Sequence, residues 1–519
     1  MFVYYYNNIN AALLKPPPLK VFKYCLLTAL RGSYIVLIPN IRDISRPHKD
    51  TIKFRFAGFN RKHYFCNLKD PCQQEHMKLK LHNILKIENA DIEIGGLTVL
   101  TGENNSGKST VGKILFSILK AANNVKQVDR MKTVSLVRSE LVSLKRMFHR
   151  SENVHILNDT QELGIGLVDK TIAIDDLRHA LETEAERTNF STRSDMMMQI
   201  RLARIGLLIK KLDNPEIAVK DEFETIAKSE FMEPLNTYGS SESTILFHDD
   251  TTDAEGSDIV ININNGKTDN VRLHGNSSVE DITYIESPLY LHILNTLRLS
   301  SPIPTASLRG IPTAFRKENI PYHLADMAEK LLSGPDDIFG LYENELFGTD
   351  YRDQLNEINA IIGGEFVLNN KTKQLSFNQD DHAVPPVSVA SGIKSFGVLQ
   401  RLIQTDSIST FKMLIWDEPE IHLHPQWQIA FCKLIIELVA KGIPIVVSSH
   451  SPYFVQALRY FASAKGIEKD VRYYLAEESC ETKLVTLKEV TDDLNRVFTL
   501  LAAPLRDIMN VDAVRNSMK

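Results

Sequence analysis

One stretch constrains the fold more than any other: Gly102-Glu-Asn-Asn-Ser-Gly-Lys-Ser109-Thr110, a Gly-x4-Gly-Lys-Ser phosphate loop. Such a loop works between a buried strand and a helix N-terminus, where backbone N–H groups and the helix dipole converge on phosphate oxygens. Both flanks are present. The apolar run Leu-Thr-Val-Leu at 97–100 leads in, and Val-Gly-Lys-Ile-Leu-Phe-Ser-Ile-Leu follows from Val111 with helical texture. The unit predicts an α/β fold. Lys108 is expected to neutralise phosphate charge and Ser109 to offer a hydroxyl to Mg2+. Gly102, Asn104, Asn105, Ser106, Gly107 and Thr110 complete the nucleotide-binding loop.

Three further segments join it. Phe411-Lys-Met-Leu-Ile-Trp-Asp417-Glu418-Pro is an apolar strand ending in two carboxylates, where Asp417 suits holding Mg2+ through water and Glu418 suits activating the attacking water. Ile443-Pro-Ile-Val-Val-Ser-Ser449-His450 is a second buried strand, and its histidine lies 33 residues after Asp417. There it can touch a terminal phosphate and sense its loss. Ser388-Val-Ala-Ser391-Gly392-Ile-Lys394-Ser-Phe-Gly397 precedes a helix expected from Val398, and small residues at a helix start can hold an anion.

The rest of the chain sets limits. Its 519 residues, 43% hydrophobic and 24% charged, exclude a disordered chain. Five scattered cysteines exclude a disulfide scaffold and point to a reducing, cytoplasmic setting. The best apolar run, residues 21–39, is broken by Lys23 and Arg31, so neither a membrane span nor a signal peptide is expected. Net charge is −5, yet residues 1–76 carry twelve Lys and Arg against four Asp and Glu. The texture changes at Met77, where two alternating runs predict a hairpin. Residues 1–76 thus read either as a basic extension before the phosphate-loop unit, even an over-long start, or as a genuine N-terminal subdomain. Within them His63, Cys66, Cys72 and His76 are zinc-suited residue types, but at a spacing that matches no common zinc fold, so no zinc site is expected. Helical spacing dominates from Val111 to Lys211, with bases at Arg138, Lys145, Arg146, Arg201, Arg204, Lys210 and Lys211. A solvated helix face is the expected reading of these bases, a nucleic-acid or partner surface the sharper one. Met196-Met-Met198 reads as packing filler.

In their order, phosphate loop, Ser-Gly helix start, Asp-Glu strand and Ser-His strand, these segments resemble an ABC-type ATPase head: a mixed sheet flanked by helices, here with a long helical insertion arm. Asp417-Glu-Pro-Glu-Ile-His-Leu-His-Pro425 and Ser448-Ser-His-Ser-Pro452 are similar to the RecF/SMC/OLD branch of soluble ABC ATPases rather than to transporter subunits. The resemblance covers residues 77–119 and 280–475. It implies ATP and Mg2+ as cofactors, Ser109 and Asp417 as metal ligands, and Glu418 and His450 as catalytic residues. It also implies that Ser391 and Gly392 contact ATP held by a second copy, so that heads pair as a dimer or larger homo-oligomer. The Ser-Gly segment departs from a Leu-Ser-Gly-Gly-Gln signature, and Glu286 lies nearest the expected glutamine-loop position.

Lys108 and Asp417 are 309 residues apart, which predicts a large insertion. The expected divisions are a head lobe at 77–119, a helical arm at 120–242, a strand-rich and helical remainder at 243–384, and a second head lobe at 385–519. OLD nucleases carry a TOPRIM domain after the histidine strand, whereas 69 residues follow His450, and Glu477, Glu478, Asp492 and Asp493 form no convincing metal set. The chain therefore resembles an OLD-like ATPase without its own nuclease, of the kind found as PtuA- and AriA-type subunits in Septu and retron-associated anti-phage systems. That resemblance implies a sensor or scaffold controlling a separately encoded HNH-type nuclease. Nucleic acid (DNA or an RNA–DNA hybrid) is a further expected partner, and no membrane is. Two other readings stand beside it: a RecF-like repair ATPase that binds DNA directly, and a nucleotide-bound scaffold that hydrolyses little.

Overall fold

The computed structural model describes residues 24–28, 35–39, 77–126, 130–148, 155–188, 190–251, 256–299, 320–333, 351–369, 372, 374–380 and 382–503. The chain divides into two units, residues 1–73 and 74–519. In the first, β1 (Tyr24–Thr28) and β2 (Ile35–Pro39) pair antiparallel, with Leu26 opposite Leu37. These short strands were not legible in a leader whose pattern shows no sustained period. The His63, Cys66, Cys72 and His76 set, and most of the basic loop at 298–317, lie outside the described residues.

The second unit is built on one large sheet. β3 (Met77–Ile84) and β4 (Ile87–Ile94) form the expected hairpin, burying Leu79, Leu81, Ile92 and Ile94 by strict alternation. β5 (Leu97–Thr101) is buried throughout and runs into the phosphate loop, after which α1 (Lys108–Lys126) begins. Then come α2 (Arg130–Met147), α3 (Thr160–Val168), α4 (Ile174–Arg187), α5 (Thr192–Asp213) and α6 (Pro215–Phe231). Four strands follow: β6 (Glu242–Asp249), β7 (Ser257–Asn264), β8 (Lys267–His274) and β9 (Asp281–Ile285). Short helices α7 (Leu294–Leu299), α8 (Tyr322–Leu331) and α9 (Arg352–Ile362) lead to a small antiparallel sheet of β10 (Glu365–Asn369), β11 (Gln374–Gln379) and β12 (His382–Val384). The remaining elements are α10 (Ser391–Gln404), β13 (Lys412–Asp417), α11 (Pro425–Ala440), β14 (Ile445–Ser449), α12 (Pro452–Lys465), β15 (Val471–Glu478), β16 (Val485–Glu489) and α13 (Asn495–Leu501).

The eleven strands run β8-β7-β6-β3-β4-β16-β15-β5-β14-β13-β9. From β15 to β9 every pairing is parallel, while from β8 to β4 every pairing is antiparallel. The parallel block is covered on both faces, as parallel sheets require. Leu97, Val99, Leu414, Trp416, Ile445 and Val447 face one core with α10, α11 and α12. Leu100, Met413, Ile415 and Val446 face the other with α1. Gly112 lets α1 sit against the sheet, since a Cβ there would come within 2.8 Å of the Tyr284 ring.

Helices α2 to α5 enclose a core of their own, with Val137, Leu141 and Leu144 meeting Leu177, Leu181, Met198, Leu202 and Ile205. Of the methionine run, Met198 is buried and Met196 is exposed. Arg201 and Arg204 both reach Glu140 of α2, at 2.6 and 3.5 Å, so these two bases tie the arm together rather than forming a free cationic face. By contrast α6 packs Val219, Phe223 and Ile226 into the core beneath α1. Among the described residues no helix is long and apolar enough to cross a membrane.

Candidate active site

Open parallel sheets bind ligands beyond the carboxyl ends of their strands. Here β5, β13, β14 and β9 all deliver chemistry to that edge: the phosphate loop, Asp417-Glu418, Ser449-His450 and Glu286. Four sequence segments spread over nearly 350 residues become neighbours because their strands are parallel and adjacent.

The loop wraps through positive-φ backbone at Gly102 (φ 145°), Asn105 (φ 60°) and Gly107 (φ 81°). Lys108 is buried, its Nζ donating to the carbonyls of Gly102 (3.0 Å) and Glu103 (2.7 Å) and to Ser106 Oγ (3.3 Å). Burial lowers the Lys108 pKa, while the carboxylates of Glu418, Asp417 and Glu420 oppose that shift. Lys108 thus feels the acids at and just beyond the end of β13. Lys86, which nothing in the sequence singled out, braces the loop from outside by donating to Asn105 O at 3.0 Å.

Asp417 ends β13 and pairs in register with Ser448 of β14. The Ser448 hydroxyl donates to Asp417 Oδ1, and Tyr284 donates its hydroxyl to Oδ2 at 3.1 Å. Two hydroxyl donors thus converge on one buried carboxylate. Glu418 follows with left-handed backbone (φ 47°), and its N–H donates to both Ser448 O and Ser448 Oγ at 3.1 Å. Ser448 therefore fixes both acids. His450 Nδ1 lies 3.1 Å from Glu418 Oε1 and 3.9 Å from Glu420 Oε1. Glu420 is buried, accepts from Ser449 Oγ (2.6 Å) and the His450 N–H (3.2 Å), and has its pKa raised by burial. Reading the sequence passed over Glu420, Tyr284 and Ser448 as site residues. The signal for Glu420 lay in the same Asp-Glu-Pro-Glu string, two positions beyond Glu418.

Ser391 and Gly392 sit elsewhere. The helix expected from Val398 begins at Ser391, so both residues lie in the first turn of α10. A Cβ on Gly392 would meet the Trp427 ring at 3.1 Å and the His422 carbonyl at 3.3 Å. Gly392 is therefore packed against the turn after Glu418, and neither residue takes part in the hydrogen-bonded cluster around Asp417. Glu286 follows β9 and lies 3.5 Å from Lys113 Nζ of α1. In the C-terminal strands, Glu477 meets Lys488 and Arg496, and Glu478 meets Lys86 and Lys483.

The residues fit a nucleotide with Mg2+. Ser109 is exposed at the start of α1 and Asp417 ends β13, and a hydroxyl and a carboxylate are hard-oxygen donors of the kind Mg2+ takes.

Residues 77–455 match the AAA ATPase domain. The Septu protein PtuA of Bacillus thuringiensis is 36% identical over 66 residues, which are 12% of this chain and 16% of that protein. The match thus spans about a sixth of its length. Among solved structures, the SMC head domain from Thermotoga maritima aligns with 80% of this chain and 98% of its own, at 10% identity and a TM-score of 0.35. An SmcHead bound to the C-winged helix domain of ScpA aligns with 81% of this chain and 99% of its own, at 11% identity and a TM-score of 0.37. With the domain match running from β3 into α12, the chain belongs to the AAA ATPase domain family.

Proposed function

We propose that this chain binds and hydrolyses ATP as the sensor or scaffold subunit of an anti-phage defence complex and controls a separately encoded nuclease. The observation that carries the ATPase part is the convergence of Lys108, Asp417, Glu418 and His450 on one sheet edge. Lys108 and the loop N–H groups bind and orient the phosphates, with Gly102, Asn104, Asn105, Ser106, Gly107 and Thr110 shaping the cradle. Ser109 and Asp417 would hold Mg2+, whose charge offsets that of the phosphates. Glu418, set by Ser448 and leaning on His450, takes the proton from the attacking water, and His450 contacts the terminal phosphate.

Ser391 and Gly392 begin a 14-residue helix whose N-terminus suits an anion. Neither residue joins the hydrogen-bonded cluster around Asp417, which supports a role toward ATP held by a second copy, hence a head-to-head dimer or larger homo-oligomer. The PtuA stretch supports the defence reading and an HNH-type nuclease partner. Nucleic acid, as DNA or an RNA–DNA hybrid, remains part of the same proposal, as does a cytoplasmic setting. The test is to purify the chain alone and with the product of the adjacent gene, then assay each against DNA and RNA. Nuclease activity only in the pair is the expected result; metal-dependent cleavage by the repurified chain alone would refute it.

A further inference from the structure

A buried polar chain that the phosphate chemistry does not use runs beside α1. His323 is the second residue of α8 and is wholly buried. Its backbone N–H donates to Glu230 Oε1 at 2.8 Å, and its Nδ1 lies 2.7 Å from Glu230 Oε2. One carboxylate from the last turn of α6 thus caps α8 and grips its histidine. On the other side His323 Nε2 faces Glu286 Oε2 at 3.2 Å. The ring also stands edge-on to Tyr284, centroids 5.0 Å apart, and Tyr284 is the residue whose hydroxyl reaches Asp417.

A neutral imidazole has one N–H and would turn a lone pair on one of two carboxylates. Set between two carboxylates, with a hydrogen-bond contact to Glu230 and an ion-pair contact to Glu286, the ring is favoured as the imidazolium. Burial disfavours the charged ring, yet Glu230 and Glu286 outweigh it and the His323 pKa is raised. Glu286 responds in kind: the His323 contact leads in holding its carboxyl down to about 2. Register places Glu286 where this matters. Ile285 pairs with Trp416, so Glu286 and Asp417 emerge side by side from β9 and β13. The other end of α8 is fixed too, since Arg401 of α10 donates to the carbonyls of Leu331 (3.1 Å) and Ser333 (2.8 Å). Lys120 of α1 adds a second tie, reaching Asp281 of β9 and Asp326 of α8 at 2.7 and 2.6 Å.

Taking the ATPase reading as its premise, we propose that His323 is a positioning residue: an imidazolium clamped between Glu230 and Glu286 that holds Glu286 beside Asp417 and ties the hydrolysis site to α6, the helix that roots the arm. The arm continues into α6 through Asn214, which caps both helices, so a displacement of the arm reaches the site edge through Glu230 and His323.

The test compares the full-length parent with His323→Gln, Glu286→Gln and the double variant, measuring nucleotide affinity, KM and kcat for Mg-ATP. Each single change is expected to lower kcat about tenfold while affinity stays within about twofold, and the double variant is expected to be no slower than the slower single. A His323→Gln chain with parental kcat, or a double variant whose loss is the product of the two, overturns the inference. If His323→Gln does not fold, Glu230→Gln carries the test, with the same expected fall in kcat and with parental kcat as the overturning result. A parent that binds ATP and never turns it over overturns the premise, and the inference with it.

Discussion

Replacing Ser448 by alanine tests whether the two acids are set by a single hydroxyl. Ser448 Oγ donates to Asp417 Oδ1 and accepts from the Glu418 N–H. In Ser448→Ala, Asp417 keeps only the Tyr284 hydroxyl, and the Glu418 N–H keeps the Ser448 carbonyl. The loss is therefore mainly one hydrogen bond to a buried charge, about 1.5–3 kcal/mol. If half of that appears in the transition state, kcat falls roughly three- to tenfold. Urea unfolding monitored by circular dichroism reads the first number, and steady-state phosphate release reads the second. Ser448→Ala with unchanged stability and unchanged turnover would refute the reasoning. A stable variant with lost turnover would place the role of Ser448 in catalysis alone.

Other outcomes follow from the same contacts. Lys108→Ala should abolish measurable nucleotide binding by titration calorimetry, because an ammonium among phosphates has no replacement there. Gly112→Ala forces a methyl onto the Tyr284 ring at the 2.8 Å approach and should cost about 1–3 kcal/mol in chemical denaturation. The Glu286 carboxyl is held to about 2, below its ordinary 4.5, so its stabilisation is complete above pH 4.5 and is lost as pH falls toward 2. Acid unfolding of Glu286→Gln should accordingly show a shallower pH dependence between those limits than the parent, by far-UV circular dichroism.

The parts of the site that were legible in the sequence are those where an apolar strand runs directly into chemistry. Lys108, Asp417, Glu418 and His450 all stand at such ends, and a period-2 or fully apolar run announces the strand. Tyr284 and Ser448 meet Asp417 through the parallel register of β9, β13 and β14, and register is set by packing rather than by local pattern. His323 and Glu230, 93 residues apart, face each other across two helices, which no spacing rule reaches. The start of α10 was misplaced because Gly392 and Gly397 look like helix breakers. They serve close packing instead, Gly392 beneath the Trp427 ring and Gly397 against the Phe366 ring, and that burial offsets the roughly 1 kcal/mol a helical glycine costs. The basic helices of the arm look like a cationic face in one dimension, but Arg201 and Arg204 turn inward to Glu140.

The central claim, that Glu418 activates water for hydrolysis of ATP held between paired heads, is tested most directly by Glu418→Gln. The change keeps shape and the backbone bonds to Ser448 but removes the base. Turnover and solution mass are measured together, by phosphate release and by size-exclusion chromatography with light scattering, in ATP and Mg2+. The account predicts that hydrolysis stops and that a nucleotide-retaining dimer accumulates, absent without ATP. A Glu418→Gln chain that hydrolyses ATP at the parental rate would contradict it.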